Sequence, residues 1–154
     1  MGNFFEIKVM TLEEVGQVAD LEEKIFSHAW GKKSLDLAVS SQQNLCLTVK
    51  DSEREVVAGY CIFSISFEDA DLCRIAVADE YRRRHLADKM FESAFEKLKK
   101  RNVERILLEV RENNSAAIAL YIKYGFEQIG KRKNYYSEPV EDGLIFECRQ
   151  LSGF

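Results

Sequence analysis

The sequence predicts a mixed α/β fold: a sheet with a parallel pair near its centre, hairpins on either side, and helices against its faces. Three observations carry that expectation. Leu72–Val77 is an apolar, strand-like run that gives way, after Ala78-Asp79-Glu80, to a helical period. Arg105–Arg111, RILLEVR, is a second near-continuous apolar strand, and it too is followed by a helical stretch. Strand–helix–strand–helix order implies parallel strands joined by right-handed crossovers, and hairpin-like segments before and after make the sheet mixed.

Taken in order, Phe4–Val9 reads as a strand. Thr11-Leu12-Glu13-Glu14 is a capping box opening a helix to about Phe26, with Val15, Val18, Ala19, Ile25 and Phe26 on its apolar face. His28-Ala29-Trp30 breaks the pattern before a short helix from about Lys33 to Ser41. Leu45–Val49 and Val56–Phe67 form a hairpin around Asp51-Ser52-Glu53-Arg54. In the helix that follows Val77 and runs to about Arg101, Leu86, Met90, Phe91, Ala94, Phe95 and Leu98 share one face. After Arg105–Arg111, Asn113 or Asn114 caps a helix from Ser115 to Tyr124, which stops at Gly125. Phe126–Arg132 and Gly143–Leu151 are closing strands, and Asn134–Pro139 between them is a loop rich in aromatics.

The 154 residues, 46% of them hydrophobic, suit one domain spanning residues 1–154 that buries a core without staples. The net charge of −4 does not suggest a nucleic-acid partner, although cations cluster at Arg82–Arg84, Lys97–Arg101 and Lys131–Lys133, which favours a local anionic ligand over a long polyanion. The four cysteines sit in apolar segments and form no C-x-x-C pair, so they read as reduced core thiols. His28 and His85 are the only histidines and lie far apart, so no metal is expected. The start lacks the basic-then-apolar order of a signal peptide, Glu6 stands where a myristoylation motif wants Ser or Thr, and no apolar run approaches a membrane span. A cytoplasmic location is the expectation.

Two places in the chain carry chemistry. Arg82, Arg83 and Arg84 stand at the start of a helix, where the dipole favours acids; an anionic partner would remove that conflict, and amides, dipole and guanidinium forks together suit a pyrophosphate. A solvated basic turn is the plainer reading. Farther on, Glu109 is the one acid in an apolar strand, placed with Leu107 on one face. Its neighbours Ile106, Leu107, Leu108 and Val110 suit a carboxylate whose pKa is raised toward the range of a general base, although pairing with Arg105 or Arg111 would serve structure alone. Tyr121, on a helix face with Ala117, Leu120 and Tyr124, is either a core residue or a proton donor matched to a thiolate of similar basicity.

Ile75–Ala87, IAVADEYRRRHLA, resembles the acetyl-CoA pyrophosphate loop of the GCN5-related N-acetyltransferases, Arg/Gln-x-x-Gly-x-Gly/Ala, with Arg82 first, Ala87 last and His85 where the first glycine usually stands. Leu108–Arg111, Asn114, Ala116–Tyr121, Gly125-Phe126, Arg132–Tyr136 and Glu141-Asp142 resemble, more specifically, the bacterial ribosomal-protein-alanine branch of that family. The resemblance implies a sheet whose central parallel strands splay apart. It also implies acetyl-CoA as cosubstrate, held by Ile75, Ala76, Val77, Arg82, Arg83, Arg84, His85, Leu86, Ala87, Asn114 and Tyr121. Glu109 would be the base, through water, and Tyr121 the acid; Trp30 would line the acceptor entrance. The acceptor implied is the N-terminal α-amine of a protein, a small-subunit ribosomal protein. The aromatic loop and the resemblance together suggest Tyr135 and Tyr136 as walls of a narrow slot for a peptide's first residues, with Glu141 or another exposed acid attracting its cationic terminus. A small-amine acceptor such as a polyamine or aminoglycoside, or a non-catalytic acyl-CoA-binding module, are the competing readings.

Overall fold

The computed structural model describes residues 4–149 and Leu151. The readings that involve Met1 and Gly2, the strand position of Gln150 and the order of Ser152–Phe154 lie outside the described residues. The elements are β1 (Phe5–Val9), α1 (Val15–Ile25), α2 (Lys32–Ser40), β2 (Asn44–Asp51), β3 (Val56–Ser66), β4 (Asp69–Val77), α3 (Leu86–Lys100), β5 (Arg105–Arg111), α4 (Ser115–Lys123), β6 (Glu127–Tyr136) and β7 (Glu141–Cys148). Hydrogen bonding orders the strands β1-β2-β3-β4-β5-β7-β6 in one seven-stranded sheet. β4 and β5 are parallel, while β1–β2, β2–β3, β5–β7 and β6–β7 are antiparallel, which gives the mixed sheet expected.

The parallel register covers only Asp69–Asp71 against Arg105–Leu107. The strands therefore pair at their starts, and β4 runs on from Leu72 to Val77 beyond the paired segment.

The chain divides into two compact units, residues 1–64 with 73–94, and residues 65–72 with 95–154. In the first, the capping box forms as expected: the Thr11 N–H donates to Glu14 Oε1 at 3.0 Å. It opens a short 3-10 turn, Leu12–Glu14, ahead of α1. The buried face of α1 is Val15, Val18, Leu21 and Glu22. Ala19 and Ile25 are only half-buried, and the half-buried Phe26 is the extended residue that ends the helix; an acid, Glu22, sits on the buried stripe instead. At the β2–β3 turn, Asp51 accepts from the N–H groups of Glu53 and Arg54 at 3.0 and 3.3 Å and from the Tyr81 hydroxyl at 2.6 Å. That hydroxyl bond, the largest influence, holds the Asp51 carboxyl below its usual range.

The face foreseen for α3 is buried at all six positions, Leu86 to Leu98. In the second unit Phe95 meets Tyr124 and Phe126 at 6.0 and 6.2 Å between ring centroids. Asn114 caps α4 by accepting from the Ala117 N–H at 3.2 Å, and Gly125 follows the helix with φ 87°, a left-handed conformation that glycine adopts without penalty.

Two expectations about the closing strands are corrected. β6 extends through Tyr136, so Asn134, Tyr135 and Tyr136 belong to a bulged strand end, and the loop is Ser137–Val140. β7 begins at Glu141 and ends at Cys148, not Leu151. Two register irregularities in β6 let a segment that does not alternate regularly stay paired, and no simple period announces it.

Candidate active site

In the first unit, Val77 leads into a single 3-10 turn, Asp79–Tyr81, whose Tyr81 ring is buried and tied to Asp51. Arg82, Arg83, Arg84 and His85 then form a turn of their own, and α3 begins only at Leu86. The arginines therefore precede the helix instead of occupying its first turn, which corrects the expectation of a cationic helix start; the acid in that first turn is Asp88. Arg82 pairs with Asp79 at 3.2 Å and donates from Nε to the Val77 carbonyl at 3.4 Å, and the Arg84 guanidinium lies 5.4 Å from the centre of the Tyr81 ring. The basic turn is thus braced from behind.

His85 has φ 58° and Arg83 φ 65°. Both lie in the left-handed region that glycine adopts most easily, a backbone shape that a glycine at position 85 would also take. Its side chain is 80% exposed and reaches Asp88 at 3.4 Å. The His85 carbonyl accepts the Lys89 N–H at 3.1 Å, so Leu86 and Ala87 fall in the first helical turn, whose N–H groups have no acceptor within the helix. A left-handed turn, first-turn amides and three guanidinium groups fit a diphosphate. Ala76 is buried, and Ile75 and Val77 lie half-exposed beside it on β4.

In the second unit Glu109 emerges from the exposed face of β5, while Ile106, Leu108 and Val110 point into the core. Of the apolar neighbours expected for this acid, Ile106, Leu108 and Val110 are therefore on the other side of the strand and Leu107 alone shares its face, because alternation in a pleated strand sends adjacent side chains to opposite faces. Nor does Glu109 pair with Arg105 or Arg111, since Arg105 holds Asp69 at 2.7 Å and Arg111 holds Glu141 at 3.3 Å. Its ion partner is Arg132, at 3.4 Å. The neighbouring Glu109 carboxylate, before burial, pushes the Tyr135 phenol up.

Tyr135 and Tyr136 meet edge to face with centroids 5.0 Å apart, and guanidinium groups flank them, Arg132 at 5.5 Å from the Tyr135 ring and Arg111 at 4.5 Å from that of Tyr136. Gly143 makes room for both: a Cβ there would lie 3.0 Å from the Tyr135 ring and 3.2 Å from the Tyr136 ring. Burial first, then the Glu109 charge, pushes the Tyr136 phenol up to about 12.

Tyr121 is buried, 6% exposed, against Phe126 and Phe146 at 5.7 and 6.4 Å between centroids. Phe146 is the register partner of Leu108, so Tyr121 is rooted on the core side of β5, opposite the face from which Glu109 emerges. Tyr136 is the electrostatic neighbour of both, and burial followed by its influence pushes the Tyr121 phenol up to about 12. Asn114 sits at the start of α4 with its Oδ1 engaged by Ala117.

Glu141 is not the exposed acid that the sequence suggested. Its carboxylate is taken by Arg111 at 3.3 Å and by the Asn113 N–H at 2.5 Å, because it closes the β6–β7 turn that Arg111 also braces through the Ser137 and Pro139 carbonyls. Trp30 is half-buried, in the first unit, with its N–H donated to Glu22 at 2.8 Å.

Sequence reasoning missed Glu22, Arg74, Arg132 as the partner of Glu109, and Asp71. The carboxyl of Asp71, on β4, is raised by desolvation first and by Asp69 and Glu109 next. A signal for the first two was present: Glu22 is in phase with Val15 and Val18, and Arg74 with Leu72 and Ala76, so each is a charge on an otherwise apolar face. Among the described residues no group of three His, Cys, Asp or Glu could hold a metal ion, and no helix is long and apolar enough to cross a membrane.

Comparison with known proteins gives a consistent picture. The Acetyltransferase (GNAT) family matches residues 15–126. A Bacillus subtilis (strain 168) protein provisionally named as a ribosomal protein bS18-alanine N-acetyltransferase is 36% identical over 141 residues, covering 90% of this chain and 91% of that one. The Escherichia coli (strain K12) ribosomal protein bS18-alanine N-acetyltransferase is 33% identical over 123 residues, 80% of each chain. A crystal structure of the ribosomal-protein-S18-alanine N-acetyltransferase from Escherichia coli superposes with a TM-score of 0.86 at 27% identity, covering 94% of this chain and 93% of that chain.

Proposed function

From the premise that the chain belongs to the GNAT acetyltransferase family, we propose that it transfers the acetyl group of acetyl-CoA to the N-terminal α-amine of a protein, the N-terminal alanine of a small-subunit ribosomal protein. The observation that carries this reading is the Glu109 carboxylate, which stands on the exposed face of β5 with the exposed Arg132 as its ion partner, on the same sheet as the edge-to-face Tyr135 and Tyr136 rings.

When bound, acetyl-CoA supplies an activated acetyl thioester; the residues of the chain hold it and manage two protons. Arg82, Arg83 and Arg84, with the amides of His85, Leu86 and Ala87, hold the diphosphate, and the backbone of Ile75, Ala76 and Val77 pairs with the pantetheine arm along the part of β4 beyond its register with β5. Asn114 makes a further cofactor contact from the start of α4. Glu109, through water, takes the proton of the attacking ammonium. Arg132 can yield its place beside that carboxylate at little cost, because ion pairs this exposed contribute about 0–1 kcal/mol. Tyr121 gives its proton to the departing sulfur; with the phenol at about 12 it carries that proton throughout the physiological range, but as a weaker acid than the matched donor expected from the sequence. Trp30, Tyr135 and Tyr136 wall the acceptor's first residues.

An α-amine suits this apparatus better than a lysine: its pKa near 8 against about 10.4 lowers the cost of reaching the neutral form by about 3.5 kcal/mol. The test is incubation with acetyl-CoA and a peptide that begins with Ala and carries an internal Lys, with free thiol measured and the modified nitrogen located by fragmentation. Acetylation of the terminal amine is expected; acetylation of Lys alone, or binding of acetyl-CoA with no thiol release, overturns the reading.

A further inference from the structure

Glu22 has no part in the chemistry above, yet it is 0% exposed and charged in kind. Its Oε2 accepts the hydroxyl of the equally buried Tyr60 at 2.5 Å, and its Oε1 accepts both the Trp30 backbone N–H at 2.8 Å and Arg74 Nε at 3.2 Å. Burial, with Glu22 next, pushes the Tyr60 phenol up, so Tyr60 stays a donor. Arg74, half-buried on β4, reaches the same connector from the other side: its Nη2 donates to the His28 carbonyl at 2.8 Å, and its guanidinium lies 4.2 Å from the centre of the Phe26 ring and 5.3 Å from that of Trp30.

The segment between α1 and α2 carries a turn at 27–28 and is otherwise irregular, with Phe26 N–H bonded to the Glu22 carbonyl at one end and Leu35 N–H to that of Gly31 at the other. This pair of side chains ties its middle, one on the N–H of Trp30 and one on the C=O of His28. Stability alone does not call for such a pair, since a well-packed apolar replacement of a buried ion pair is commonly as stable or more so. A charged, directional clamp instead selects one shape for the loop.

We propose that Arg74 and Glu22 are positioning residues for the acceptor, holding Ser27–Trp30 in the one conformation that receives the first residues of the peptide. The inference rests on the reading of Trp30 as an acceptor wall and adds to it the device that sets the wall. Arg74 directly precedes Ile75, so the strand assigned to the cofactor also carries the clamp on the loop.

The test uses the full chain with Arg74→Ala, Arg74→Lys, Glu22→Gln and the double variant Glu22→Gln/Arg74→Ala. For Arg74→Ala the KM of the Ala-starting peptide rises about tenfold, as expected for loss of a charge-assisted hydrogen bond, while kcat and the Kd of acetyl-CoA stay within about twofold. Arg74→Lys recovers part of the loss, because one ammonium reaches one partner but cannot stack between two rings. The double variant is no worse than about the poorer single, because both changes open the same clamp. Should Glu22→Gln fail to fold, Arg74→Ala and Arg74→Lys carry the test by themselves, as the Arg74 side chain reaches the surface. A peptide KM unchanged in Arg74→Ala, or kcat, KM and acetyl-CoA affinity falling together in step with stability, overturns the clamp. A wild-type protein that binds acetyl-CoA but leaves the peptide unmodified overturns the acceptor reading beneath it, a result distinguishable because no variant is needed to see it.

Discussion

The two units of the molecule set a carboxylate beside a phenol in opposite surroundings. In the first unit, Glu22 with Tyr60 and Asp51 with Tyr81 are buried on both sides, at 2.5 and 2.6 Å. In the second, Glu109 with Tyr135 opens to solvent, and Tyr135 is 50% exposed. A buried pair has every partner fixed by the fold, so it locks a loop or a turn. An exposed pair keeps a lone pair for a proton from outside and can exchange it. Burial, and not the chemical type of the pair, separates scaffold from chemistry here.

That difference is broken most severely at the exposed acid. Glu109→Gln lowers kcat by about 10²–10⁴, the usual contribution of a general base; thiol release with the Ala-starting peptide measures it. Tyr121→Phe follows with a fall of about 10². The raised phenol has a sign that can be checked: the folded state holds this proton more tightly than the unfolded chain, whose value is about 10, so the stability it adds is complete below about pH 10 and is lost as pH rises toward 12. Urea midpoints followed across that window fall more for wild type than for Tyr121→Phe.

On the buried side, Tyr60→Phe leaves Glu22 Oε2 without its donor and costs about 1–3 kcal/mol of stability in urea unfolding, with kcat within about twofold of wild type. The smallest effect is at the left-handed turn. His85→Gly keeps the backbone shape and removes only an exposed ring, so acetyl-CoA affinity, read by calorimetry, stays within about twofold, whereas His85→Val, strained at φ 58°, costs about 1–2 kcal/mol of stability.

Much of this fold was legible in the sequence because regular periods announce regular elements. The apolar face of α3, the bounds of β5, the Thr11 capping box and the Asn114 cap all follow from local pattern. The parts that escaped depend on partners distant in sequence. Nothing near Glu109 names Arg132 as its neighbour, because β6 reaches β5 only through β7. Glu141 looks like a free acid until Arg111, thirty positions away, closes on it. The strand that holds Tyr135 and Tyr136 is bulged, so alternation fails where those rings must turn. Glu22 and Arg74 were visible only as interruptions of apolar stripes, and an interruption does not name the group that satisfies it.

The most direct test of the account is to measure kcat and the urea midpoint together on Glu109→Gln and Tyr60→Phe. The account predicts a crossover, Glu109→Gln losing turnover at an unchanged midpoint and Tyr60→Phe losing midpoint at an unchanged kcat. Near-wild-type turnover in Glu109→Gln, or turnover and midpoint falling in parallel in both variants, would contradict it.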